Sequence, residues 1–153
     1  MGFARDKFKD FAVAFWKTAR QDLLRAEDAY KEDAYSYAVF HAQQSAEKAV
    51  KGIMEMEEVF VRDHDISDLF TIFILKPEKE SDVKDQLYKI FDILEWFIGK
   101  WNITRYPFIR EGKVVSPFEA FGEKDAREAL EKARFVFEYI TMLMRTKYGL
   151  ELE

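Results

Sequence analysis

Apolar residues recur at steps of three and four along most of this chain, and that spacing constrains the fold more than any other feature of the sequence. It places the apolar side chains on one face of a helix and predicts long helices over residues 6–30, 33–57, 81–98 and 123–147. A shorter apolar segment, Ile66 to Leu75, ends before Pro77. We predict a short helix there, because a lone strand would have no partner.

The first two predicted helices carry different apolar faces. The first face consists of Phe8, Phe11, Ala12, Phe15, Ala19, Leu23, Ala26 and Tyr30. The second consists mostly of small residues: Ala34, Ala38, Ala42, Ser45, Ala46, Ala49 and Ile53. Small residues let a neighbouring helix approach closely, so the second helix is predicted at the centre. The fold class is then all-α, an up-and-down bundle of four long helices plus one short helix, in a single domain over residues 1–153.

Single residues indicate where the predicted helices begin and end. Ser81 is the expected N-cap of the third long helix, and His64 or Asp65 is expected to cap the short one. Gly149 follows the last helix at a position typical of a terminating glycine.

The 153 residues include no cysteine and only two histidines, His41 and His64. Disulfides, thiol nucleophiles and cysteine-ligated metals are therefore excluded. His64 stands between Asp63 and Asp65, but adjacent side chains rarely point the same way, and neither histidine has the Glu-x-x-His spacing of a di-iron bundle. Glycine-rich phosphate loops are absent as well, and we expect neither a metal nor a cofactor.

The chain has 24 lysines and arginines against 29 acidic residues, a net charge of −5. An extended positively charged surface that binds nucleic acid is therefore not expected. The most apolar stretch, residues 69–75, is far shorter than the ~20 residues that span a bilayer. Since no apolar leader opens the chain, we expect no membrane association and a cytoplasmic location. The single asparagine is compatible with a thermophilic source.

The longest segment without helical spacing, residues 99–122, combines cations with aromatic rings. Its first part contains one acid among four cations: Lys100, Arg105, Arg110, Glu111 and Lys113. Three rings are interleaved with them: Trp101, Tyr106 and Phe108. Guanidinium groups bind phosphate and rings stack on bases, so this pattern is typical of a nucleotide or RNA site. The alternative is a small satellite core whose cations neutralise nearby acidic helices.

A polar face on the second predicted helix is the other candidate site. Gln44, Lys48 and Lys51 share this face, and His41 precedes them by one turn. Glu47 stands four residues before Lys51, which is the favourable order for a helical ion pair. Either the face lines a cleft or contacts a partner, or it is a solvated surface with ordinary ion pairs.

Several motifs together resemble the HEPN domain family. Residues 43–51 read Gln-Gln-Ser-Ala-Glu-Lys-Ala-Val-Lys, which is similar to the family's Gln-Gln-x-x-Glu-Lys-x-x-Lys signature. Four further elements are similar to the family: Trp16-x-x-Ala19-x-x-Asp22-Leu23-x-x-Ala26, His64-Asp65-Ile66-x-x-Leu69, Thr104-Arg105-Tyr106-Pro107 and Ala126-x-x-Ala129-Leu130-x-x-Ala133. The resemblance extends over residues 15–143.

The resemblance implies an α-helical bundle that is usually a homodimer and is often encoded beside a small nucleotidyltransferase, as in toxin–antitoxin pairs. Many such domains are proposed to bind nucleotides or RNA. The residues that would bind the ligand here are Arg105, Tyr106, Lys48, Lys51, Gln44 and His41.

Some members of the family are metal-independent ribonucleases, which use an arginine followed by a histidine after four to six intervening residues. Neither His41 nor His64 has an arginine at that spacing before it, and the corresponding positions after Arg105 hold no histidine. We therefore expect a non-catalytic binding module. Two alternatives stay open: a ribonuclease toxin in which His41 or His64 serves a displaced active site, and a structural protein–protein adaptor.

Overall fold

The computed structural model describes residues 2–61, 66–100 and 104–153, with the backbone alone for residues 2–6. Its helices are α1 (Gly2–Lys31), α2 (Tyr35–Glu55), α3 (Ile66–Phe70), α4 (Ser81–Ile98), α5 (Pro117–Ala120) and α6 (Glu123–Thr146). A π-helical turn, Thr71–Leu75, follows α3, and β1 (Phe108–Arg110) pairs with β2 (Lys113–Val115) as an antiparallel hairpin. The predicted all-α bundle is confirmed, with four long helices. None of the described helices is both long and apolar enough to cross a bilayer.

Helix α2 lies at the centre of the bundle and packs against both α1 and α6. Five small residues of its predicted face are fully buried: Ala38, Ala42, Ser45, Ala46 and Ala49. The Ser45 hydroxyl donates a hydrogen bond of 2.8 Å to the carbonyl of Ala19 on α1. A side chain as short as serine reaches a neighbouring backbone only where the two helix axes lie close together. The predicted central position of this helix is therefore confirmed.

Trp16 joins α1 to α6. Its indole N–H donates to Thr141 Oγ1 at 2.8 Å, and its ring stacks on Phe137 with centroids 5.8 Å apart. Trp16 is 3% exposed, whereas Phe11 is 49% exposed, so the prediction that Phe11 lies in the core is wrong. The face of α1 that α2 and α6 cover passes through Ala12 and Trp16, which leaves the Phe11 ring at the surface beside Phe60.

The predicted helix ends are correct in part. Ser81 is the first residue of α4 rather than its N-cap, because the Glu80 carbonyl already accepts the first helical hydrogen bond, from Lys84. Gly149 adopts a φ of +66°, in the left-handed region expected of a glycine after a helix. The capping role predicted for His64 or Asp65 lies outside the described residues.

The hairpin and α5 fill the segment in which the sequence indicated only irregular structure. Glu111 and Gly112 have φ values of +51° and +78°, as a two-residue hairpin turn requires. Pro117 opens α5, where its fixed φ suits the first helical turn. The Ser116 hydroxyl donates to Glu119 Oε1 at 2.9 Å across the same turn. These local interactions fix the position of Phe118.

We expect Gly52→Ala to lower the free energy of unfolding by about 1–2 kcal/mol. Overpacking of the added methyl group destabilises the protein by more than the higher helix propensity of alanine stabilises it. A Cβ at Gly52 would lie 2.8 Å from Met144 Cε on α6, and on α1 it would lie 3.2 Å from the Ala12 carbonyl oxygen and 3.3 Å from Phe15 Cβ. Urea denaturation followed by circular dichroism measures the change.

Gly99→Ala is the matched control, because a Cβ there meets nothing closer than the Trp96 carbonyl oxygen at 3.8 Å. We expect it to leave stability unchanged or to raise it slightly. Equal effects of the two substitutions would contradict the close approach of α1 to α2.

Candidate functional site

A cleft of about 390 Å³ opens where the start of α2 meets the loop before the hairpin and α5. It is lined by Ser36, Tyr37, Phe40, Thr104, Arg105, Pro117 and Phe118. Tyr37 and Phe118 are 63% and 73% exposed, which is high for large rings in a folded domain. Ser36 and Thr104 are themselves buried and contribute hydroxyl groups. The cleft therefore combines aromatic rings, one guanidinium and three hydroxyl-bearing residues.

Arg105 lies over aromatic rings at this cleft. Its Cζ atom is 5.6 Å from the ring centroid of Phe40 on α2 and 5.6 Å from that of the adjacent Tyr106. Because α2 is fixed in the core, the cation–π contact with Phe40 holds the guanidinium at the helix start. Tyr106 is an exposed neighbour of Arg105 and does not line the cleft.

The predicted polar face of α2 contains an ion pair between the half-buried Lys48 and a buried carboxylate of α1. Lys48 Nζ lies 2.7 Å from Asp22 Oδ2 on α1, and Asp22 is only 4% exposed. Arg25, one turn further along α1, is 3.8 Å from the other carboxylate oxygen. An unpaired buried carboxylate would be costly, so this pairing satisfies Asp22 and occupies Lys48. The sequence did not indicate that Asp22 would be the partner.

His41 is half-buried beside this ion pair. Burial lowers the pKa of His41 below its ordinary value, the nearby Asp22 carboxylate raises it, and Arg25 and Lys48 lower it further. Its Nδ1 atom is buried and has no hydrogen-bond partner among the described residues. The imidazole ring contacts Phe40, with centroids 5.2 Å apart. His41 and Arg105 therefore both lie against the ring of Phe40.

The remaining predicted site residues lie further along α2. Lys51 Nζ is 3.7 Å from Glu47 Oε1, so the predicted helical ion pair is confirmed. Gln44 is half-buried on the same helix. None of Gln44, Lys48 and Lys51 lines the cleft. The structure thus brings two of the six predicted residues, Arg105 and His41, to the ring of Phe40, and engages two others, Lys48 and Lys51, in ion pairs.

Several residues of the cleft escaped the sequence reasoning. Ser36, Tyr37 and Phe40 lie within the first two turns of α2, and their spacing could have indicated a common face. Phe118 could not have been found, because only the hairpin and α5 bring it to the cleft. Among the residues that the structure describes, no group of histidine, aspartate and glutamate side chains is arranged to hold a metal ion.

The described residues form a helical bundle around α2, with a cleft of one guanidinium and several aromatic rings at the start of that helix. A sequence model of the HEPN domain matches residues 12–143. The chain belongs to the HEPN domain family.

Individual relatives agree with this assignment. A protein of Methanocaldococcus jannaschii named "Putative toxin MJ1304" is 33% identical over 141 residues, which cover 92% of this chain and 93% of that protein. The crystal structure of ST0689, described as an archaeal HEPN homologue, has a TM-score of 0.60 at 26% identity, covering 87% of this chain and 97% of its own. TT1696 from Thermus thermophilus shares the fold, with a TM-score of 0.64 at 24% identity over 86% and 96% of the two chains.

We expect the His41 imidazole to titrate below the ordinary histidine pKa of about 6.5, and Asp22→Asn to lower that pKa further. The carboxylate of Asp22 stabilises the imidazolium, and burial opposes it. Because its folded-state pKa is depressed, His41 contributes stability that is present above pH 6.5 and is lost as the pH falls through the folded pKa.

NMR titration of the imidazole resonances measures this, with His64→Gln removing the other histidine signal. Glu32→Gln, which replaces an exposed acid just after α1, serves as the charge-matched control. A His41 pKa above 6.5, or one that does not respond to Asp22→Asn, would contradict the described environment.

Proposed function

We propose that this protein is a non-catalytic HEPN-type binding module that holds a nucleotide or an RNA segment in the cleft around Arg105. The observation that carries the proposal is the combination of one guanidinium with the rings of Tyr37, Phe40 and Phe118 in a single concave surface. Guanidinium groups bind phosphate through charge-assisted hydrogen bonds, and exposed rings stack on bases. A volume of about 390 Å³ lies within the usual range for small-ligand pockets.

The charge distribution favours a ligand that contacts only a small area of the protein. The chain carries a net charge of −5, which disfavours a broad electrostatic surface for duplex nucleic acid. Arg105 brings positive charge to the cleft, while Lys48 is engaged by Asp22. A mononucleotide or an unpaired segment of RNA suits such a site, because unstacked bases are free to contact rings.

The toxin in the name of the relative from Methanocaldococcus jannaschii supports a toxin–antitoxin context. In that context, the module acts as a homodimer and works with a small nucleotidyltransferase as its partner protein. The exposed Tyr37 and Phe118 rings leave the cleft open to a ligand presented by such a partner.

Arg105→Ala should weaken ATP binding about tenfold or more, because a hydrogen bond to a charged group is worth about 1.5–3 kcal/mol. Phe118→Ala should weaken it about fivefold or more through lost stacking, which is worth about 1–3 kcal/mol. Isothermal titration calorimetry gives both dissociation constants.

Two controls match these variants. Arg110 is another arginine over a ring, with its Cζ atom 5.2 Å from the centroid of Phe108, but it lies on the hairpin outside the cleft. Ile109 is 75% exposed on the same hairpin and controls for the loss of exposed apolar surface. Unchanged binding in Arg105→Ala, or equal losses in Arg110→Ala, would refute the assignment of the cleft.

The contacts of His41 and Arg105 with one ring favour a second function, metal-independent ribonuclease activity. His41 and Arg105 both lie against Phe40, although they come from α2 and from the loop before β1. A half-buried histidine with a lowered pKa is neutral near pH 7 and can accept a proton from a ribose hydroxyl. In this proposal His41 is the base and Arg105 the cation, and both contact the same ring without the family's sequence spacing.

For this second function we expect purified protein to cleave RNA in the presence of EDTA, and His41→Ala to reduce cleavage about 100-fold or more. His64→Ala serves as the control for loss of a histidine. If the wild-type protein leaves RNA intact while it binds nucleotide, the ribonuclease function is excluded and the binding module stands. If cleavage is lost in His64→Ala instead, the assignment to His41 is wrong.

A further inference from the structure

Two lysine side chains share the ring of Trp96 near the end of α4. Lys100 Nζ lies 4.4 Å from the indole centroid, and Lys132 Nζ lies 5.1 Å from it. Lys100 follows the end of α4, whereas Lys132 belongs to α6. One ammonium group on α6 and one just after α4 therefore lie over the same indole.

This cluster carries an unbalanced positive charge. Lys132 Nζ is 3.4 Å from Glu128 Oε1, one turn earlier on α6. Lys100 has no ion-pair partner among the described residues. Two ammonium groups and one carboxylate leave a net charge of +1, and the indole attracts both cations without neutralising either. One phosphodiester group carries the charge that would balance the cluster.

The lysine pair lies next to the cleft. The backbone N–H of Thr104 donates to the Lys100 carbonyl at 3.2 Å. Thr104 and Arg105 both line the cleft. The backbone of Lys100 therefore lies beside a residue of the cleft, and a ligand that extends from the cleft towards α4 approaches the Lys100 ammonium.

The same line of side chains continues along α4 and α6. Lys89 Nζ lies 6.0 Å from the ring centroid of Phe135, which stacks on Tyr139 with centroids 6.1 Å apart. Lys89 precedes Trp96 by seven residues, about two helical turns, so the two cation–ring groups face the same side of α4. Cations that alternate with rings are suited to a single strand, whose phosphates and unpaired bases are both accessible.

We propose that Lys100 and Lys132, on either side of Trp96, form a phosphate subsite next to the cleft, and that the ligand is a single-stranded oligonucleotide rather than a mononucleotide. This proposal rests on the proposed binding function of the cleft. It assigns the first phosphate to Arg105 and the next phosphates along the strand to the lysine pair.

The test measures how affinity depends on ligand length. Calorimetry at low salt compares uridine monophosphate with oligouridylates of three and six nucleotides. We expect affinity to rise about tenfold or more from the monophosphate to the trimer. Lys100→Ala and Lys132→Ala should each weaken trimer binding about three- to tenfold and reduce the magnitude of the slope of log K against log salt by about 0.7. Each substitution should leave the affinity for the monophosphate unchanged within about twofold.

Lys79→Ala is the matched control, because Lys79 is an exposed lysine just before α4, about 27 Å along that helix from Lys100. Circular dichroism checks that each variant is folded, and Lys132→Gln removes the charge while it retains most of the stem that covers Trp96. Oligodeoxyuridylate of the same length shows whether the strand is RNA or DNA.

The outcomes separate the two proposals. Equal affinity for the monophosphate and the trimer, or equal losses in Lys79→Ala, would overturn the lysine subsite and leave the cleft assignment intact. Trimer binding that depends on Lys100 and Lys132 but not on Arg105 would support the subsite and contradict the cleft. Absence of binding by every ligand would overturn both.

Discussion

The close packing of α2 against α1 is the constraint on which the rest of the structure depends. Ser45 hydrogen-bonds to the Ala19 carbonyl, and a Cβ at Gly52 would lie only 3.2 Å from the Ala12 carbonyl oxygen on α1. Buried alanines allow this approach, since larger side chains would force the helices apart. With α2 fixed between α1 and α6, the first turns of α2 present Tyr37 and Phe40 to the cleft.

The same contact encloses the ion pair between Asp22 and Lys48. A carboxylate that is 4% exposed is tolerated only with a close partner, and Lys48 at 2.7 Å supplies it. The pair has two consequences for the site. It engages the lysine that the sequence suggested for ligand binding, and it sets the charges that act on His41.

The proposed ligand path follows separate positively charged side chains on a chain whose net charge is −5. Arg105 lies on Phe40, and Lys100 and Lys132 lie on Trp96. Each cation lies over an aromatic ring, and the cation–π contact favours that position of the charged group. A single strand that follows these rings would contact separate cations rather than a continuous basic surface.

The sequence by itself determined the helices, the central position of α2 and the family, because helical spacing and small-residue stripes are local patterns. It also supplied Arg105 and His41 as candidates. Only the tertiary structure decided that both lie against Phe40, that Lys48 is paired with Asp22, and that Lys100 meets Lys132 across Trp96. The physical reason is that Arg105 and Phe40, Lys48 and Asp22, and Lys132 and Trp96 are far apart in the chain, so their meeting depends on how whole helices pack rather than on any local pattern.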